Sequence, residues 1–293
     1  MSSRYSNLER PGLDLGALRT ALCMPAGPYA RLDIVAQTGS TNTDLVEHAQ
    51  REAAGWPDLS VLGAEVQTAG RGRLDRRWVA PERSSLFVSV LLRPFNRQGR
   101  PVPTTAYSWF SLLAALALAE SIEDRTEIAP QLKWPNDVTV DGRKLAGVLA
   151  QFVPGAGAEP PAVVVGVGLN VSLTDDELPV PTATSLLLEY AGTTDRNILL
   201  KSFLRTLADS YRSFCDVDGD AAAAWDDGPS LHARITARMT TLGQDVRAEL
   251  PGGALLSGRA LALDAHGALI LRDDDGERHT VSAGEVVHLR PQA

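Results

Sequence analysis

Residues 70–78 read Gly-Arg-Gly-Arg-Leu-Asp-Arg-Arg-Trp and lie between two apolar runs, residues 60–64 (Ser-Val-Leu-Gly-Ala) and residues 86–92 (Leu-Phe-Val-Ser-Val-Leu-Leu). Such runs predict buried β-strands, so the arginines are expected on the connecting loop. Glycine beside arginine lets backbone amides approach a ligand closely, while the guanidinium groups bind phosphate or carboxylate oxygens. The segment therefore predicts an anion-binding site.

A basic, glycine-rich loop has a second interpretation, because many such loops are only solvated surface. The composition of the chain favours the anion site. The protein has a formal net charge of −8 and a pI near 5.2, so this compact positive group is not a sample of a generally basic surface. The same acidity argues against a general nucleic-acid-binding protein.

The composition is that of a globular protein without an export signal. The chain has 293 residues and is 44% hydrophobic, which suffices for one large and one small domain. Cys23 and Cys215 have neither CxxC nor Cys/His spacing, so we expect no disulfide framework, no zinc site and a cytoplasmic location. The N-terminus has no signal-peptide pattern, and the most apolar run, residues 112–119, is too short to cross a bilayer.

A polar segment follows the strand predicted at residues 30–37. Ser40, Thr41 and Asn42 precede Asp44 and Glu47, a pattern that predicts a helix start with free amides and hydroxyls facing outward. Ser40 and Thr41 are both suitable N-caps. These residues allow two interpretations, a binding segment or a helix cap alone.

The dipeptide Asp141-Gly142 separates strands predicted at residues 138–140 and 143–151. Asp-Gly between two such runs predicts a two-residue β-hairpin, which places Lys144 beside Asn136 and Asp137. Taken alone, a lysine beside a hairpin turn is more often a solvated surface residue.

Several common sites are excluded. The run Gly166-Val167-Gly168 begins like a dinucleotide fingerprint, but Val171 stands where the third glycine belongs and no helix is predicted to follow. The sequence contains no GxxxxGK[ST] loop, no GxSxG elbow and no HExxH motif. Helices are predicted at residues 106–124 and 196–214, with apolar faces that indicate core packing.

The sequence pattern of the C-terminal part differs from that of the preceding chain. Short strands are predicted at residues 246–250, 255–263, 268–272 and 278–281, with glycine-containing turns between them, as in a small β-barrel. The four alanines at residues 221–224 predict the extension of a helix.

Five segments, in this order, resemble the bacterial biotin protein ligases. They are residues 39–42 (Gly-Ser-Thr-Asn), 64–73 (Ala-Glu-Val-Gln-Thr-Ala-Gly-Arg-Gly-Arg), 133–137 (Lys-Trp-Pro-Asn-Asp), 143–147 (Arg-Lys-Leu-Ala-Gly) and 166–170 (Gly-Val-Gly-Leu-Asn). The resemblance extends from about Arg31 to the C-terminus, and five motifs in sequence are more specific than any one of them.

The resemblance implies an α+β fold of the class II aminoacyl-tRNA-synthetase-like biotin/lipoate ligase type, a mixed sheet with packed helices. This catalytic domain is expected at residues 30–238, after a leader at residues 1–29. An SH3-like β-barrel is expected at residues 239–293.

The resemblance also implies a two-step ATP-dependent reaction. Biotin is activated to biotinyl-5′-AMP with release of pyrophosphate, and biotin then passes to a lysine of a biotin carboxyl carrier domain of a biotin-dependent carboxylase. Mg²⁺ is expected with the ATP phosphates, because no carboxylate cluster is spaced to hold it alone. Many members carry an N-terminal DNA-binding winged helix. Only some thirty residues precede the first predicted strand, so we expect no repressor function. We also expect a monomer or weak homodimer, with no nucleic-acid or membrane partner.

The same resemblance implies roles for individual residues. Lys144 bridges the biotin carboxylate and the α-phosphate, and Arg71 joins it as a catalytic residue. Asp137 is added as a third catalytic residue because the predicted hairpin places it near Lys144. The biotin site is expected to consist of Ser40, Thr41, Asn42, Gln67, Gly70, Arg71, Gly72, Arg73, Trp78, Lys144 and Gly147. The ATP site is expected to consist of Arg71, Arg73, Lys133, Asn136, Lys144 and Asn170.

Asp137 allows two interpretations. The acceptor amine must lose a proton before it attacks, since a free lysine has a pKa of about 10.4. In the first interpretation, Asp137 accepts that proton or orients the amine. In the second, it only forms hydrogen bonds with the backbone of the tight Pro-Asn-Asp corner.

Three other functions are less well supported. A lipoate ligase would share the fold and the adenylation chemistry, but that family favours Arg-Arg and Ser-Gly-Gly-Gly patterns where this chain has Gly-Arg-Gly-Arg. A biotin or nucleotide sensor on the same scaffold would be expected to lose the lysine found at position 144. A nucleic-acid-binding module would need aromatics interleaved with the arginines, and only Trp78 is present.

Overall fold

A seven-stranded sheet lies at the centre of the computed structural model, which describes residues 10–72, 77–155, 159–226, 228–250, 254–282 and 285–288. Its strands are β1 (Arg31–Thr38), β2 (Ser60–Gln67), β5 (Ser85–Leu92), β6 (Gln131–Lys133), β7 (Asp137–Val140), β8 (Arg143–Val153) and β9 (Ala162–Asn170). The spatial order is β1-β2-β5-β9-β8-β7-β6. Only β1 and β2 are parallel, which makes the sheet mixed, as predicted.

The arginine segment forms a separate small hairpin. Strands β3 (Gly70–Arg71) and β4 (Arg77–Trp78) pair antiparallel, with Gly70 opposite Trp78. The predicted position between two buried strands is confirmed, but Arg71 and Arg77 lie on short paired strands rather than in a loop. Residues 73–76 lie outside the described residues.

The helices cover the two faces of the sheet unequally. They are α1 (Leu15–Leu22), α2 (Thr41–Arg51), α3 (Phe110–Thr126), α4 (Arg196–Asp216) and α5 (Leu231–Arg238). Successive side chains of a strand point to opposite faces, and the apolar core is divided accordingly. Helix α2 packs with Leu62, Leu91 and Val164, whereas α3 and α4 pack with the main cluster that contains Val61 and Val88. A single helix on the α2 face leaves part of that face open.

Helix α3 is the predicted core helix and is preceded by a 3₁₀ turn, Thr104–Trp109. By length and composition, Thr104–Thr126 could cross a membrane, but 78% of its apolar window is buried inside the protein. An apolar circumference is the pattern of a helix enclosed by other elements.

The hairpin at Asp141-Gly142 is confirmed. Asp141 has φ +48° and Gly142 has φ +76°, so both turn residues are left-handed, as a type I′ turn requires. The register pairs Thr139 with Lys144 and Asp137 with Gly147.

The C-terminal part forms its own antiparallel sheet, as expected of a small SH3-like unit. Its strands are β10 (Asp245–Glu249), β11 (Leu255–Leu263), β12 (Leu269–Arg272), β13 (Arg278–Val281) and β14 (Glu285–His288), in the order β13-β12-β11-β10-β14. Four of the five were predicted. Val246, Ala260 and Leu269 are buried in the same apolar cluster as Trp109 and Leu112, so the two sheets share one core through α3.

Three local predictions were wrong or incomplete. Helix α1 was not predicted within the leader, where it begins at the cap Asp14, whose carboxylate accepts a hydrogen bond from Ala17 N at 2.9 Å. Residues 221–224 form turns rather than a helical extension, because α4 has already ended at Asp216. Helix α5 was also missed.

Candidate active site

A cavity of about 500 Å³ opens on the α2 face of the central sheet. The end of β2, the start of α2, the β3–β4 hairpin and strands β6 to β9 all contribute side chains to it. A mixed lining of backbone, apolar and charged groups at this size suits a small organic ligand.

Thirteen of the predicted site residues line this cavity. They are Ser40, Thr41, Asn42, Gln67, Arg71, Gly72, Trp78, Lys133, Asn136, Asp137, Lys144, Gly147 and Asn170. Gly70 lies behind the lining, where a Cβ would fall 2.5 Å from the Trp78 carbonyl oxygen. Arg73 lies outside the described residues. Segments that are far apart in sequence thus meet at one place.

The Ser40–Asn42 segment is turned inward, which corrects the prediction of outward-facing hydroxyls. Ser40 occupies the N-cap position of α2, but its side chain makes no cap hydrogen bond. Instead, the Thr41 N–H and hydroxyl donate to Gln67 Oε1 at 2.8 and 3.1 Å. Side-chain bonding to β2 has replaced the capping role, and the segment forms one wall of the cavity.

A buried serine extends this polar wall. Ser89 is fully buried, and its hydroxyl lies 2.8 Å from Thr41 Oγ1 and 2.7 Å from Asn42 Oδ1. The amide nitrogen of Asn42 donates to the Leu149 carbonyl at 3.0 Å. Each member fixes the rotamer of the next, so the wall is preorganised.

Glycines form the floor of the cavity, and Trp78 lies on them. Gly147 and Gly168 are register partners on β8 and β9. A Cβ at Gly168 would fall 2.7 Å from Trp78 Cε2, and one at Gly147 would fall 2.9 Å from Trp78 Cζ3. A side chain at either position would displace the indole, so the floor must be glycine for a flat ring to rest there.

Lys144 and Asp137 face each other at the β7–β8 hairpin. Lys144 Nζ lies 2.6 Å from Asp137 Oδ1 and 5.4 Å from the centre of the Trp78 ring. The Lys144 side chain is 37% exposed and so reaches solvent through the cavity. The chain has only three lysines, and two of them, Lys133 and Lys144, line this cavity. In a chain this poor in lysine, the placement argues against a chance surface lysine.

Backbone hydrogen bonds to Thr182 and Thr184 hold the Lys144 main chain in place. Its N–H donates to the Thr182 carbonyl at 2.7 Å, and its carbonyl accepts from Thr184 N at 2.8 Å. Asn170 supports the same segment, since its amide nitrogen donates to the Thr184 carbonyl at 2.9 Å.

Asn136 and Asn170 are oriented alike. The amide nitrogen of Asn136 donates to the Val148 carbonyl, as that of Asn170 does to Thr184. Across the described ranges, neither amide oxygen accepts a hydrogen bond from the protein. Both oxygens are therefore available to a ligand or to a cation that a ligand carries.

The cations of the β3–β4 hairpin lie at the edge of the cavity. Arg71 and Arg77 are register partners and are both exposed, and both line the opening. Exposed guanidinium groups at the mouth of a cavity can close on an anionic ligand without first breaking a buried ion pair.

The protein offers no metal cage of its own in the described part of the chain. No group of three or more His, Cys, Asp or Glu side chains is placed to bind a metal ion there. A divalent cation at this site would need oxygens from its ligand in addition to the two asparagine oxygens.

Sequence reasoning missed several lining residues. They are Val79, Trp134, Pro135, Thr139, Gly142, Val148, Leu149, Gly166, Val167, Gly168, Pro179, Val180, Thr182 and Ala183. Arg77 also lines the cavity and belonged to the predicted anion-binding segment, without a role of its own. Gly166 and Gly168 stood in a quoted motif without a role. Residues 179–183 carry no motif and reach the site only because they pair with Lys144. Ser89 had one signal, a polar residue in the middle of a strand that is buried on both faces.

Comparison with known proteins gives consistent matches along the chain. The model of the biotin/lipoate A/B protein ligase family matches residues 34–170, and that of the biotin protein ligase C-terminal domain matches residues 241–289. The biotin–[acetyl-CoA-carboxylase] ligase of Mycobacterium tuberculosis is 42% identical over 284 residues, 96% of this chain and 97% of the relative. The ligase of the same name from Paracoccus denitrificans is 33% identical over 86% of this chain and 98% of its own.

Solved structures agree with the sequence matches. The biotin protein ligase of Aquifex aeolicus in complex with biotin and ATP superposes with a TM-score of 0.66, at 25% identity, over 89% of this chain and all of that one. At 89% of this chain, the superposition extends well beyond the central sheet.

Proposed function

This chain belongs to the biotin/lipoate A/B protein ligase family, and we propose that it activates biotin with ATP and transfers it to a carrier-domain lysine. The observation that carries the proposal is the Lys144–Asp137 pair, 2.6 Å apart, at one cavity with the polar wall of Thr41, Asn42 and Gln67. One ligand can contact both at once.

The cavity suits biotin as a ligand. Biotin has a flat, largely apolar bicycle with a ureido group that both donates and accepts hydrogen bonds. The glycine floor and the Trp78 indole offer apolar surface, and the wall of Ser40, Thr41, Asn42 and Gln67 offers donors and acceptors. Because Gln67 Oε1 already accepts two bonds from Thr41, its amide nitrogen is the group that turns to the ligand.

Lys144 is proposed to serve the first step. The biotin carboxylate attacks the α-phosphorus of ATP, a bond forms between the carboxylate oxygen and phosphorus, and pyrophosphate leaves. Two anions must approach each other, so a fixed cation between them offsets their repulsion and the charge that develops on the phosphoryl oxygens. Lys144 on β8 and Lys133 on β6, the strands on either side of β7, line the cavity, and Arg71 lies at its edge.

Mg²⁺ is proposed to accompany ATP rather than to reside in the protein. The amide oxygens of Asn136 and Asn170 are hard ligands of the kind that Mg²⁺ accepts, but they are neutral and only two in number. They fit an ion that is held mainly by phosphate oxygens. The ion would neutralise phosphate charge.

Asp137 is proposed to serve the second step. The acceptor amine attacks the acyl carbon of biotinyl-AMP, an amide bond forms, AMP leaves, and the amine loses a proton. Within the described residues, the Asp137 carboxylate has no hydrogen bond to a backbone group, and its partner is Lys144. This supports a role at the reacting groups over a role in bonding the Pro-Asn-Asp corner.

The acceptor is proposed to be the biotin carboxyl carrier domain of a biotin-dependent carboxylase. The support is the relative from M. tuberculosis, whose name specifies acetyl-CoA-carboxylase. The proposal also includes a cytoplasmic location, a monomer or weak homodimer, and no membrane, nucleic-acid or repressor role. The net charge of −8 supports the absence of DNA binding, and the unpaired thiols of Cys23 and Cys215 fit a reducing compartment.

Intact-mass analysis of a purified carrier domain tests the proposal. The domain is incubated with this protein, ATP, Mg²⁺ and biotin, with lipoate in place of biotin in a parallel reaction. We expect a mass gain of one biotinyl group with biotin and none with lipoate. A lipoyl mass gain would assign the chain to lipoate ligation instead. No gain in either reaction, together with tight biotin binding by calorimetry, would support a sensor and contradict the ligase.

A further inference from the structure

The hairpin β6–β7 carries the ATP side of the proposed site. Lys133 and Asp137 are register partners, so residues 134–136 form the tip between them. Lys133, Asn136 and Asp137 line the cavity. The position of this short hairpin therefore sets where three polar side chains meet the ligand.

The tip is anchored by the C-terminal part of the chain. Trp134 is 2% exposed, and its indole N–H donates to the Gly267 carbonyl at 3.0 Å. Its backbone N–H donates to Thr241 Oγ1 at 2.9 Å. Two residues earlier, the Leu132 carbonyl accepts from Thr240 N at 2.8 Å. The Thr240 hydroxyl donates to the same carbonyl at 3.0 Å, so four hydrogen bonds join the hairpin to residues that follow α5.

The partner of the indole is a rigid turn between β11 and β12. Asp264 Oδ1 accepts from His266 N at 2.8 Å and from Ala268 N at 2.9 Å. Gly267 has φ +75°, and a Cβ there would lie 3.3 Å from Leu112 Cδ1 and 3.4 Å from the Trp109 ring. The turn is fixed internally, and it packs closely on the start of α3.

A second tryptophan binds the same turn without touching the site. Trp109 Nε1 donates to the Ala265 carbonyl at 2.9 Å. Trp109 is buried at the start of α3 and does not line the cavity. The two indoles therefore make similar contacts to the C-terminal unit, but only Trp134 belongs to the hairpin that faces the ligand.

We propose that the turn at residues 264–268 is a fixed support that positions the β6–β7 hairpin for ATP, with Gly267 as a positioning residue and Trp134, which also lines the cavity, as the contact between turn and hairpin. This inference rests on the proposed ligase function and gives the C-terminal unit a part in the first step. The biotin wall is held separately, by the bonds among Thr41, Gln67 and Ser89. Loss of this support should therefore raise the KM for ATP and leave the KM for biotin nearly unchanged.

The test compares Trp134→Phe with Trp109→Phe in the full-length protein. Each variant removes one indole hydrogen bond to the same turn and keeps an aromatic ring. Pyrophosphate release gives KM for ATP and for biotin, and thermal unfolding gives the stability. For Trp134→Phe we expect the KM for ATP to rise about fivefold to tenfold, the effect of one misplaced hydrogen bond, with the KM for biotin within about twofold of wild type. For Trp109→Phe we expect both KM values to stay within about twofold of wild type, even if its Tm falls as much as that of Trp134→Phe.

Two glycine variants make the same comparison, one of them in the turn that accepts the Trp134 hydrogen bond. Gly267 and Gly276 have φ +75° and +87°, so alanine strains the backbone at both, but a Cβ at Gly276 meets nothing within 4 Å. Gly267→Ala should raise the KM for ATP, and Gly276→Ala should not.

The inference is overturned if Trp134→Phe and Trp109→Phe change the KM for ATP equally, or if Trp134→Phe leaves it at the wild-type value. It is also overturned if Trp134→Phe raises the KM for biotin as much as the KM for ATP. Trp134 would then stabilise the protein as a whole rather than position the ATP side of the site. A wild-type protein that releases no pyrophosphate in the presence of biotin and ATP contradicts the proposed function itself, which separates the two failures.

Discussion

Lys144 Nζ lies 2.6 Å from Asp137 Oδ1, across a hairpin whose two turn residues are left-handed. The pair joins an ammonium group, suited to stabilising the first transition state, to a carboxylate suited to receiving a proton in the second. A substitution of Lys144 should therefore slow the first half-reaction more than the second, and a substitution of Asp137 should do the reverse.

Lys144→Ala is expected to reduce biotin-dependent pyrophosphate release by about a hundredfold to a thousandfold, the usual effect of deleting a preorganised charge in a transition state. Biotin binding by calorimetry should change far less, because the glycine floor and the Thr41–Gln67 wall are untouched. Lys201→Ala is the matched control, since Lys201 is exposed on α4 and is the only lysine outside the cavity. Equal rates for the two variants would exclude Lys144 from catalysis.

Asp137→Asn is expected to leave the first half-reaction within about threefold of wild type and to slow transfer from preformed biotinyl-AMP to the carrier domain by about tenfold or more. The amide keeps the shape of the side chain but cannot accept the proton. Single-turnover transfer, followed by intact mass across a pH series, measures the effect. Raising the pH should partly rescue the variant, since more of the acceptor lysine is then already neutral. Transfer at the wild-type rate at every pH would leave Asp137 with a structural role alone.

The central sheet and the hairpin were predictable because their signals are local. Alternating or continuous apolar runs predicted β1, β2 and β5, and Asp141-Gly142 specified a turn that brings Lys144 to Asp137. The resemblance of five motifs then placed distant segments at one site. Thirteen of those residues do meet at the cavity, although their chemical roles remain predictions.

The remaining parts of the site depend on tertiary contacts that leave no local pattern. Ser40 and Thr41 have the chemistry of helix caps, and only the position of Gln67 on a neighbouring strand turns Thr41 inward. Pro179, Val180, Thr182 and Ala183 line the cavity because Lys144 pairs with Ala183 beyond the end of β9. Trp134 was quoted within a motif, but its bond to Gly267 joins residues 133 positions apart in the chain.

Gly168→Ala is expected to weaken biotin binding by about tenfold or more. The new methyl group would lie 2.7 Å from Trp78 Cε2, a distance that forces the indole off the floor or into the cavity. Gly228→Ala is the control, because a Cβ there meets nothing within 4 Å. Calorimetric titration with biotin measures the effect. An unchanged dissociation constant in Gly168→Ala would mean that Trp78 and the floor take no part in the biotin site.

Asp58→Asn tests how a buried carboxylate away from the site contributes to stability. Burial raises the pKa of Asp58, against hydrogen bonds from the Arg93 and Leu59 backbone and from the Tyr211 hydroxyl, which lower it. A raised pKa in the folded state means that the folded protein binds the proton more tightly than the unfolded chain does. The stabilisation is therefore fully present below the ordinary value of 3.8 and is lost as the pH rises through the raised pKa.

Asparagine does not titrate, so the variant lacks this pH dependence. We expect the free energy of unfolding of Asp58→Asn, relative to wild type, to increase as the pH rises above about 4, and to level off once Asp58 of the wild type is ionised. Urea unfolding at a series of pH values, with Asp176→Asn as an exposed control, measures the difference. Because the substituted side chain can still accept through its amide oxygen, the bonds from Arg93 N at 2.7 Å and Tyr211 Oη at 3.0 Å can persist in the variant. A difference that stays constant from acid to neutral pH would show that Asp58 ionises in the folded protein as readily as in the unfolded chain.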